Sequence, residues 1–280
     1  MQSSVRRKRY KLTIEYDGSR YRGWQLQPNA RTIQGELIGA LRSATGDPSA
    51  TCTGAGRTDA GVHALGQVAH TDLLTTLEPH TLCATLNEHL PADIHVLEVS
   101  PVSHTFHARR SAVARSYLYQ IALRRGAFIK DYAWWVAQPL DQERMQSAAE
   151  LLEGMHDFRS FAKPNPAVRS TRVFVEEIRL ARFEQLLLVR ITASHFLWHM
   201  ARVIVGVLAH IGQGNLPEEK LIEYLRSASR EPLAMAAPAA GLYLERVYYR
   251  GQPRVGELLP TLHLRSFPKD CTRTEHNKEE

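Results

Sequence analysis

The sequence has few cysteines and no long apolar stretch. Its three cysteines are Cys52, Cys83 and Cys271. They are far apart and include no Cys-x-x-Cys pair, which would indicate zinc or a redox couple. Free thiols in a reducing cytosol therefore fit best. No stretch approaches the roughly 18 apolar residues of a membrane span. No apolar signal-peptide segment follows the basic residues near the start of the sequence. We therefore expect a cytoplasmic protein with no membrane partner.

Acidic residues are missing from two basic stretches, one between Glu98 and Asp131 and one between Asp157 and Glu176. The basic residues in these stretches are Arg109, Arg110, Arg115, Arg124, Arg125, Lys130, Arg159, Lys163, Arg169 and Arg172. The chain has a formal net charge of +6, and most of its 35 basic residues are arginine, which binds phosphate in a planar, bidentate geometry. A charge run is usually a solvated face, but the tyrosines and phenylalanines interleaved here favour a nucleic-acid groove.

Hydrophobic periodicity predicts two similar halves. In the first half, the alternating segment Lys11–Tyr16 predicts a strand, and Thr32 and Gly46 are suited to begin and end a helix whose apolar residues recur every four positions. The further predicted elements are strands at 50–54, 66–72, 94–99, 116–122, 172–180, 186–193 and 242–248, and helices around 82–90, 141–152, 196–211 and 217–227. Each half then has the ferredoxin-like order β-α-β-β-α-β.

This order predicts an α+β protein with a mixed, mainly antiparallel sheet around a central cleft. We expect an N-terminal half over residues 1–105, a C-terminal half over 106–250 and a partly disordered tail over 251–280. At 280 residues and 44% hydrophobic content, the chain is long enough to bury a substantial core.

The most informative segment is Gly54–Ala64, with the sequence GAGRTDAGVHA between two predicted strands. Three glycines and an acid in one short connector suit a loop that presents Asp59 to a ligand, and Asp59 is the leading catalytic candidate. A plain turn explains Asp and Gly equally well. A phosphate-binding P-loop fits less well, since the Gly-Lys-Ser/Thr sequence is missing.

His195 and His199 are four residues apart on a predicted helix. Zinc-binding His-Glu-x-x-His would require a glutamate that is absent here, so packed or hydrogen-bonded histidines are favoured over a metal site. Arg202 would share their helical face and point into a cleft, or else lie on the surface.

Four motifs resemble the tRNA pseudouridine synthase A family. They are Gly54–Ala64, the paired stretches Phe106–Arg110 and Arg115–Tyr119, Phe196–Arg202, and Ala240–Leu244, and they occur in the family's order. The resemblance covers about residues 10–248. It implies the pseudouridine synthase fold and a homodimer.

The resemblance also implies roles for individual residues. Asp59 would attack the target nucleotide and Arg202 would pair with it. Tyr117 would stack on the target base, Leu242 would form an apolar wall, and Arg57 would contact the nucleotide or its phosphate. Taken alone, Tyr117 and Leu242 would be interpreted as core residues. Arg109 and Arg110, from the first basic stretch, are expected to bind phosphates.

By this resemblance the protein isomerises uridine to pseudouridine at positions 38, 39 and 40 of the tRNA anticodon stem-loop, with base flipping and without metal or other cofactor. Two alternatives remain from the residues alone. A non-catalytic RNA-binding protein would use the same halves, although an acid in a basic cleft repels phosphate. A metal-dependent hydrolase would use His195 and His199 with Asp59.

Overall fold

The computed structural model describes residues 7–254 and 256–264. The first half contains β1 (Lys8–Tyr16), α1 (Ile33–Thr45), β2 (Thr53–Gly54), β3 (His63–Leu73), α2 (Pro79–His89) and β4 (Ile94–Val102). The second half contains β5 (Ala112–Ala122), β6 (Trp134–Trp135), α3 (Gln142–Glu150), β7 (Gly154–Asp157), β8 (Arg172–Phe183), β9 (Leu186–Ala193), α4 (Met200–Gly212), α5 (Glu218–Arg226), α6 (Glu231–Ala234) and β10 (Leu242–Tyr249). No helix in the described parts of the chain is long and apolar enough to cross a membrane.

Helix α1 begins and ends where the sequence predicts. The hydroxyl of Thr32 accepts a hydrogen bond from the Gly35 amide at 3.2 Å, which satisfies one of the free N–H groups of the first turn. At the other end, Gly46 adopts a φ of 66°, and its amide donates to the Arg42 carbonyl at 2.9 Å. Ile33, Leu37 and Leu41 are buried, as their spacing predicts.

In the first half, β4, β1 and β3 are adjacent and antiparallel, and β2 pairs with the far end of β3. Alternate residues of β1, including Leu12 and Ile14, lie in one buried cluster with the apolar faces of α1 and α2. The two helices therefore cover one face of the sheet. This is the ferredoxin-like arrangement predicted from the element order.

The second half repeats the arrangement with the strand order β10-β5-β9-β8, extended by β7 at the edge. Every pair in this series is antiparallel. Helix α4 is buried along nearly its whole length, and α3 contributes Met145 and Ala148 to the same core. Strands β6 and β7 were not predicted, since two and four residues are too few to establish an alternating pattern.

The two halves join through a short parallel pairing between β3 and β10. Only two residue pairs form this junction, His63 with Tyr243 and Ala64 with Leu244. Because all ten strands found in the described residues belong to one sheet with this parallel junction at its centre, the predicted mixed, mainly antiparallel sheet is confirmed. The junction places the beginning of β3 beside the beginning of β10.

Residues 256–264 pack against the sheet. Leu258 and Leu264 are buried in a second cluster on the face opposite α3 and α4, and the Thr261 amide donates to the Gln120 side chain at 2.7 Å. This part of the predicted tail is therefore folded onto the second half, while residues 265–280 of that tail lie outside the described residues. The predicted boundaries at residues 105 and 250 stay predictions.

Candidate active site

Asp59 lies in the loop between β2 and β3, and this loop is held from both sides. The Thr58 hydroxyl is 2.8 Å from the Tyr16 hydroxyl, and the Thr58 carbonyl accepts from the Trp24 amide at 3.1 Å. Gly23 has a φ of +89°, and a Cβ there would lie 2.6 Å from the Thr58 carbonyl oxygen. The loop therefore has a defined backbone because its neighbours approach it closely.

Three side chains from the second half surround the Asp59 carboxylate, which keeps 28% of its surface exposed. The indole N–H of Trp198 donates to Oδ1 at 3.1 Å. Nε2 of His199 lies 3.4 Å from Oδ2, and an Nη of Arg202 lies 3.9 Å from the same oxygen. Asp59 and Arg202, predicted as partners, are thus brought together across the junction between the halves.

The helical face predicted for His195, His199 and Arg202 is wrong in part. Helix α4 begins at Met200 rather than near Phe196, and His199 has a left-handed backbone with a φ of 68°. His195 lies in the preceding loop, where its Nδ1 is 3.1 Å from the Ser194 hydroxyl. Apolar periodicity in this segment comes from Phe196 packing on Tyr117 rather than from a helix turn. Of these three predicted residues, only His199 and Arg202 lie near Asp59.

Arg202 is fixed by the backbone near residue 237. Its Nε donates to the Ala237 carbonyl at 2.7 Å, and the Ala237 amide donates back to the Arg202 carbonyl at 2.9 Å. The guanidinium is therefore oriented before any ligand binds. Because an arginine stays charged at all accessible pH values, it supplies a permanent positive charge beside Asp59.

The surroundings of His199 favour its neutral form. Burial lowers the pKa of His199, although the nearby Asp59 carboxylate opposes this effect, and the positive charges of Arg202 and Lys163 lower the pKa further. A lowered pKa weakens the contribution of His199 as a cation beside Asp59, and Arg202 supplies the positive charge there.

An aromatic and apolar wall lies next to the carboxylate. Tyr117 on β5 is 8% exposed and meets Phe196 edge to face at 4.6 Å between ring centroids. Its hydroxyl has no hydrogen-bond partner among residues 7–254 and 256–264. Burial raises the pKa of Tyr117, and the neighbouring Tyr16 and Asp59 add to this effect. Leu242, buried at the beginning of β10, pairs with Tyr119 two residues further along β5.

The predicted phosphate-binding arginines lie at the surface. Arg57, Arg109 and Arg110 are exposed, and their side chains form no hydrogen bond or ion pair within the described parts of the chain. Arg109 and Arg110 lie in a tight turn whose two amides both donate to Nδ1 of His107. Their charges are therefore available to an external anion.

Two basic residues of the acid-free stretches are not available to an external anion in the same way, because their side chains already bind other groups of the protein. Arg115 donates to backbone carbonyls inside the cleft wall, and Arg159 forms an ion pair with Asp157. Lys163 lies 5.3 Å from the ring of Trp198, which places it beside the Asp59 site. No role was predicted for Trp198 from the sequence. Its position inside the motif Phe196–Arg202 was the available signal.

The histidines do not assemble a metal centre here. Within the described residues, no group of three or more His, Cys, Asp or Glu side chains is arranged to hold a metal ion. His195 faces Ser194 while His199 faces Asp59, so the set required by the metal-dependent hydrolase alternative is not brought together.

Comparison with known proteins identifies the family. A family model described as tRNA pseudouridine synthase matches residues 12–109 and 148–250. The chain therefore belongs to the tRNA pseudouridine synthase family, an isomerase family, and the predicted fold class is confirmed.

Individual relatives carry the type A name. The chain is 40% identical over 246 residues to the tRNA pseudouridine synthase A of Agrobacterium fabrum, covering 86% of this chain and 92% of that one. Identity to the protein of the same name from Moorella thermoacetica is 42% over 243 residues, covering 85% and 98% of the two chains. A Geobacillus protein of that name is 38% identical over 244 residues, covering 86% and 98%.

Proposed function

We propose that this protein converts uridine to pseudouridine at positions 38, 39 and 40 of the tRNA anticodon stem-loop, with Asp59 as the catalytic nucleophile. The observation that carries the proposal is the position of Asp59, a partly exposed carboxylate with Trp198, His199 and Arg202 around it. The type A relatives support tRNA as the substrate.

The reaction breaks the bond between N1 of uracil and C1′ of ribose, turns the base, and joins C5 to C1′. A carboxylate can take part in two ways, by attacking the sugar or by abstracting a proton to assist cleavage. Arg202 orients and stabilises the Asp59 carboxylate in either route, because its guanidinium is fixed at the Ala237 carbonyl. In either route the C5 proton is lost to solvent and N1 gains a proton, so the product is an isomer of uridine and no redox carrier is required.

The target base must leave the RNA stack to reach Asp59, at a cost of a few kcal/mol in lost stacking and pairing. Stacking on an aromatic ring returns about 1–3 kcal/mol. Tyr117 provides that ring on the wall next to Asp59, with Phe196 packed behind it and Leu242 as an apolar neighbour along the cleft.

Phosphate contacts would position the rest of the stem-loop. Arg109 and Arg110 present two unpaired cations on one turn, and Arg57 presents a third two residues before Asp59. Contacts of this kind orient RNA without reading its sequence. We further propose that the protein acts as a homodimer in the cytoplasm.

The test is incubation of the purified protein with unmodified tRNA carrying tritium at uridine C5. Loss of the C5 hydrogen is intrinsic to the isomerisation, so we expect tritium release together with pseudouridine at positions 38–40 in the product RNA. Tight tRNA binding without tritium release would instead indicate a non-catalytic RNA-binding protein. Activity lost on chelation and regained with added metal would indicate a metal-dependent enzyme.

A further inference from the structure

Arg115 occupies an unusual position in the cleft wall. It lies on β5 two residues before Tyr117, so both side chains project from the same side of the sheet. Its guanidinium donates to four backbone carbonyls: Ala55 at 3.1 Å, Arg109 at 2.9 Å, Ser194 at 3.0 Å and Ala112 at 3.4 Å. One planar group therefore binds main-chain atoms from distant parts of the sequence.

Three of these four carbonyls belong to segments that present a residue of the candidate active site, while Ala112 lies on β5 itself. Ala55 is four residues before Asp59 in the same loop. Arg109 lies on the turn that exposes the two predicted phosphate-binding arginines. Ser194 begins the loop that leads to Trp198 and His199, both of which contact Asp59. Arg115 thus fixes the relative position of three segments that have no strand pairing with one another.

The charge of Arg115 has no acidic counterpart within the described residues. Burial lowers the pKa of the Arg115 guanidinium, and the neighbouring groups that affect it are Tyr249, Tyr117 and Arg109 rather than a carboxylate. Arg115 is half-buried, and even partial burial of a charge without an opposite charge has a cost, although carbonyl oxygens accept from its donors. A residue needed only for packing would not require this charge in a cleft that already contains cations.

We propose that Arg115 is a positioning residue for the reaction, holding the Asp59 loop, the Arg109 turn and the Ser194 loop in one geometry suited to a polyanionic substrate. The proposal rests on the proposed function for its effect on turnover, but not for its structural part. Lysine keeps the charge of Arg115 but cannot reach carbonyls on several sides from one planar group. Arg115→Lys therefore separates geometry from charge.

The structural part is tested without substrate by ¹⁹F NMR of protein labelled with 5-fluorotryptophan. The chain has four tryptophans, and Trp→Phe variants assign their signals. We expect Arg115→Lys to shift the Trp198 signal, because the Trp198 indole contacts Asp59. Trp135 pairs with Ala122, about 23 Å from Arg115 along β5, and its signal should stay in place. Arg182→Lys is the matched control, since Arg182 on β8 donates to the Glu184 carbonyl in the turn between β8 and β9.

Steady-state kinetics with tRNA tests the effect on the reaction. Displacing catalytic groups by about 1 Å can reduce turnover about 100-fold, so Arg115→Lys should lower kcat about 10- to 100-fold while KM for tRNA changes less than about threefold. Arg115→Gln also removes the charge, and it should lower kcat and raise KM together. Arg182→Lys should leave both values unchanged.

Two results would overturn the proposal. A raised KM with unchanged kcat in Arg115→Lys would make Arg115 a direct phosphate contact, and unchanged kinetics with an unchanged Trp198 signal would leave it without a positioning role.

If circular dichroism shows that neither variant folds, Arg115→Ala is measured with added methylguanidinium. Recovery of kcat supports the proposal, and a folded variant that does not recover contradicts it. A wild-type protein without tritium release would contradict the proposed function alone, since the NMR result does not depend on it.

Discussion

Trp198 donates its indole N–H to Oδ1 of Asp59 across 3.1 Å, and the two residues come from opposite halves of the sheet. The contact leaves Oδ2 facing His199 and Arg202. One oxygen of the carboxylate is thus held by a neutral donor, and the other lies beside the permanent charge of Arg202. This arrangement orients the carboxylate while part of it stays open to the cleft.

Removing the charge of Asp59 should separate catalysis from binding. Asp59→Asn keeps the size of the side chain but is not a nucleophile or a base. We expect no measurable pseudouridine formation, with tRNA affinity unchanged or increased because a negative charge has left a basic cleft. Tritium release and filter binding measure the two effects. Substantial turnover by this variant would exclude Asp59 as the catalytic group.

We expect the ring of Tyr117 rather than its hydroxyl to carry its proposed role, because the hydroxyl has no hydrogen-bond partner in the described structure. Tyr117→Phe should therefore keep kcat/KM close to the wild-type value. Tyr117→Ala should lower it about 5- to 150-fold, which corresponds to the loss of roughly 1–3 kcal/mol of base stacking. Equal losses in both variants would indicate that the hydroxyl takes part in the reaction.

Phosphate contacts by Arg109 and Arg110 should appear in the salt dependence of binding. Each lost contact should reduce the slope of log affinity against log salt by about 0.7–0.9. We expect Arg109→Ala/Arg110→Ala to flatten the slope and to weaken different tRNAs equally. Arg182→Ala, exposed on β8, is the control and should leave the slope unchanged. Parallel lines for the wild type and the double variant would show that these arginines do not touch the RNA backbone.

Gly23 and Gly46 form a matched pair for testing the Asp59 loop. Both have positive φ, 89° and 66°, but a Cβ at Gly23 would lie 2.6 Å from the Thr58 carbonyl oxygen and one at Gly46 would meet nothing within 4 Å. Each alanine substitution costs roughly 1–2 kcal/mol of backbone strain. Gly23→Ala should lower Tm further and reduce kcat by about tenfold or more, because it displaces the Asp59 backbone. Gly46→Ala should leave kcat unchanged.

His63 should make stability depend on pH. Burial lowers the pKa of His63, with the nearby Asp17 carboxylate opposing the effect, and its Nδ1 accepts from the Gly18 amide at 3.2 Å. Between this lowered pKa and the ordinary value of about 6.5, the unfolded chain binds more protons, so stability is lost as the pH falls through this window.

The variant His63→Gln measures this contribution. The difference in unfolding free energy between about pH 7.5 and about pH 5.5 should shrink by up to about 1 kcal/mol in the variant, as measured by urea denaturation. His89→Gln, at an exposed position near the end of α2, should leave the difference unchanged. An equal pH dependence in wild type and His63→Gln would contradict the assignment.

Local signals in the sequence predicted most of the fold. Thr32 and Gly46 defined both ends of α1, because capping depends on a few neighbouring atoms. The beginning of α4 was predicted four residues too early, since the apolar residues before Met200 pack on the tertiary structure rather than along a helix. Periodicity alone does not distinguish these two causes.

In the candidate site, the sequence predicted only residues that lie in the family motifs. Asp59 and Arg202 lie in motifs, and the structure brings them within 3.9 Å. The connections of Arg115 were not predictable, because its four acceptors are backbone carbonyls, which carry no signature in the sequence. Trp198 lay inside a motif, but only the fold shows that its N–H points at Asp59.

The short junction between β3 and β10 separates the residues of the candidate site into two groups. Asp59 comes from one side of those two residue pairs, while Tyr117, Trp198 and Arg202 come from the other. Two fragments cut between β4 and β5 would therefore each carry an incomplete set of active-site groups. The Asp59 carboxylate would contact its aromatic and cationic neighbours again only when the two fragments reassemble, and not when either fragment folds alone.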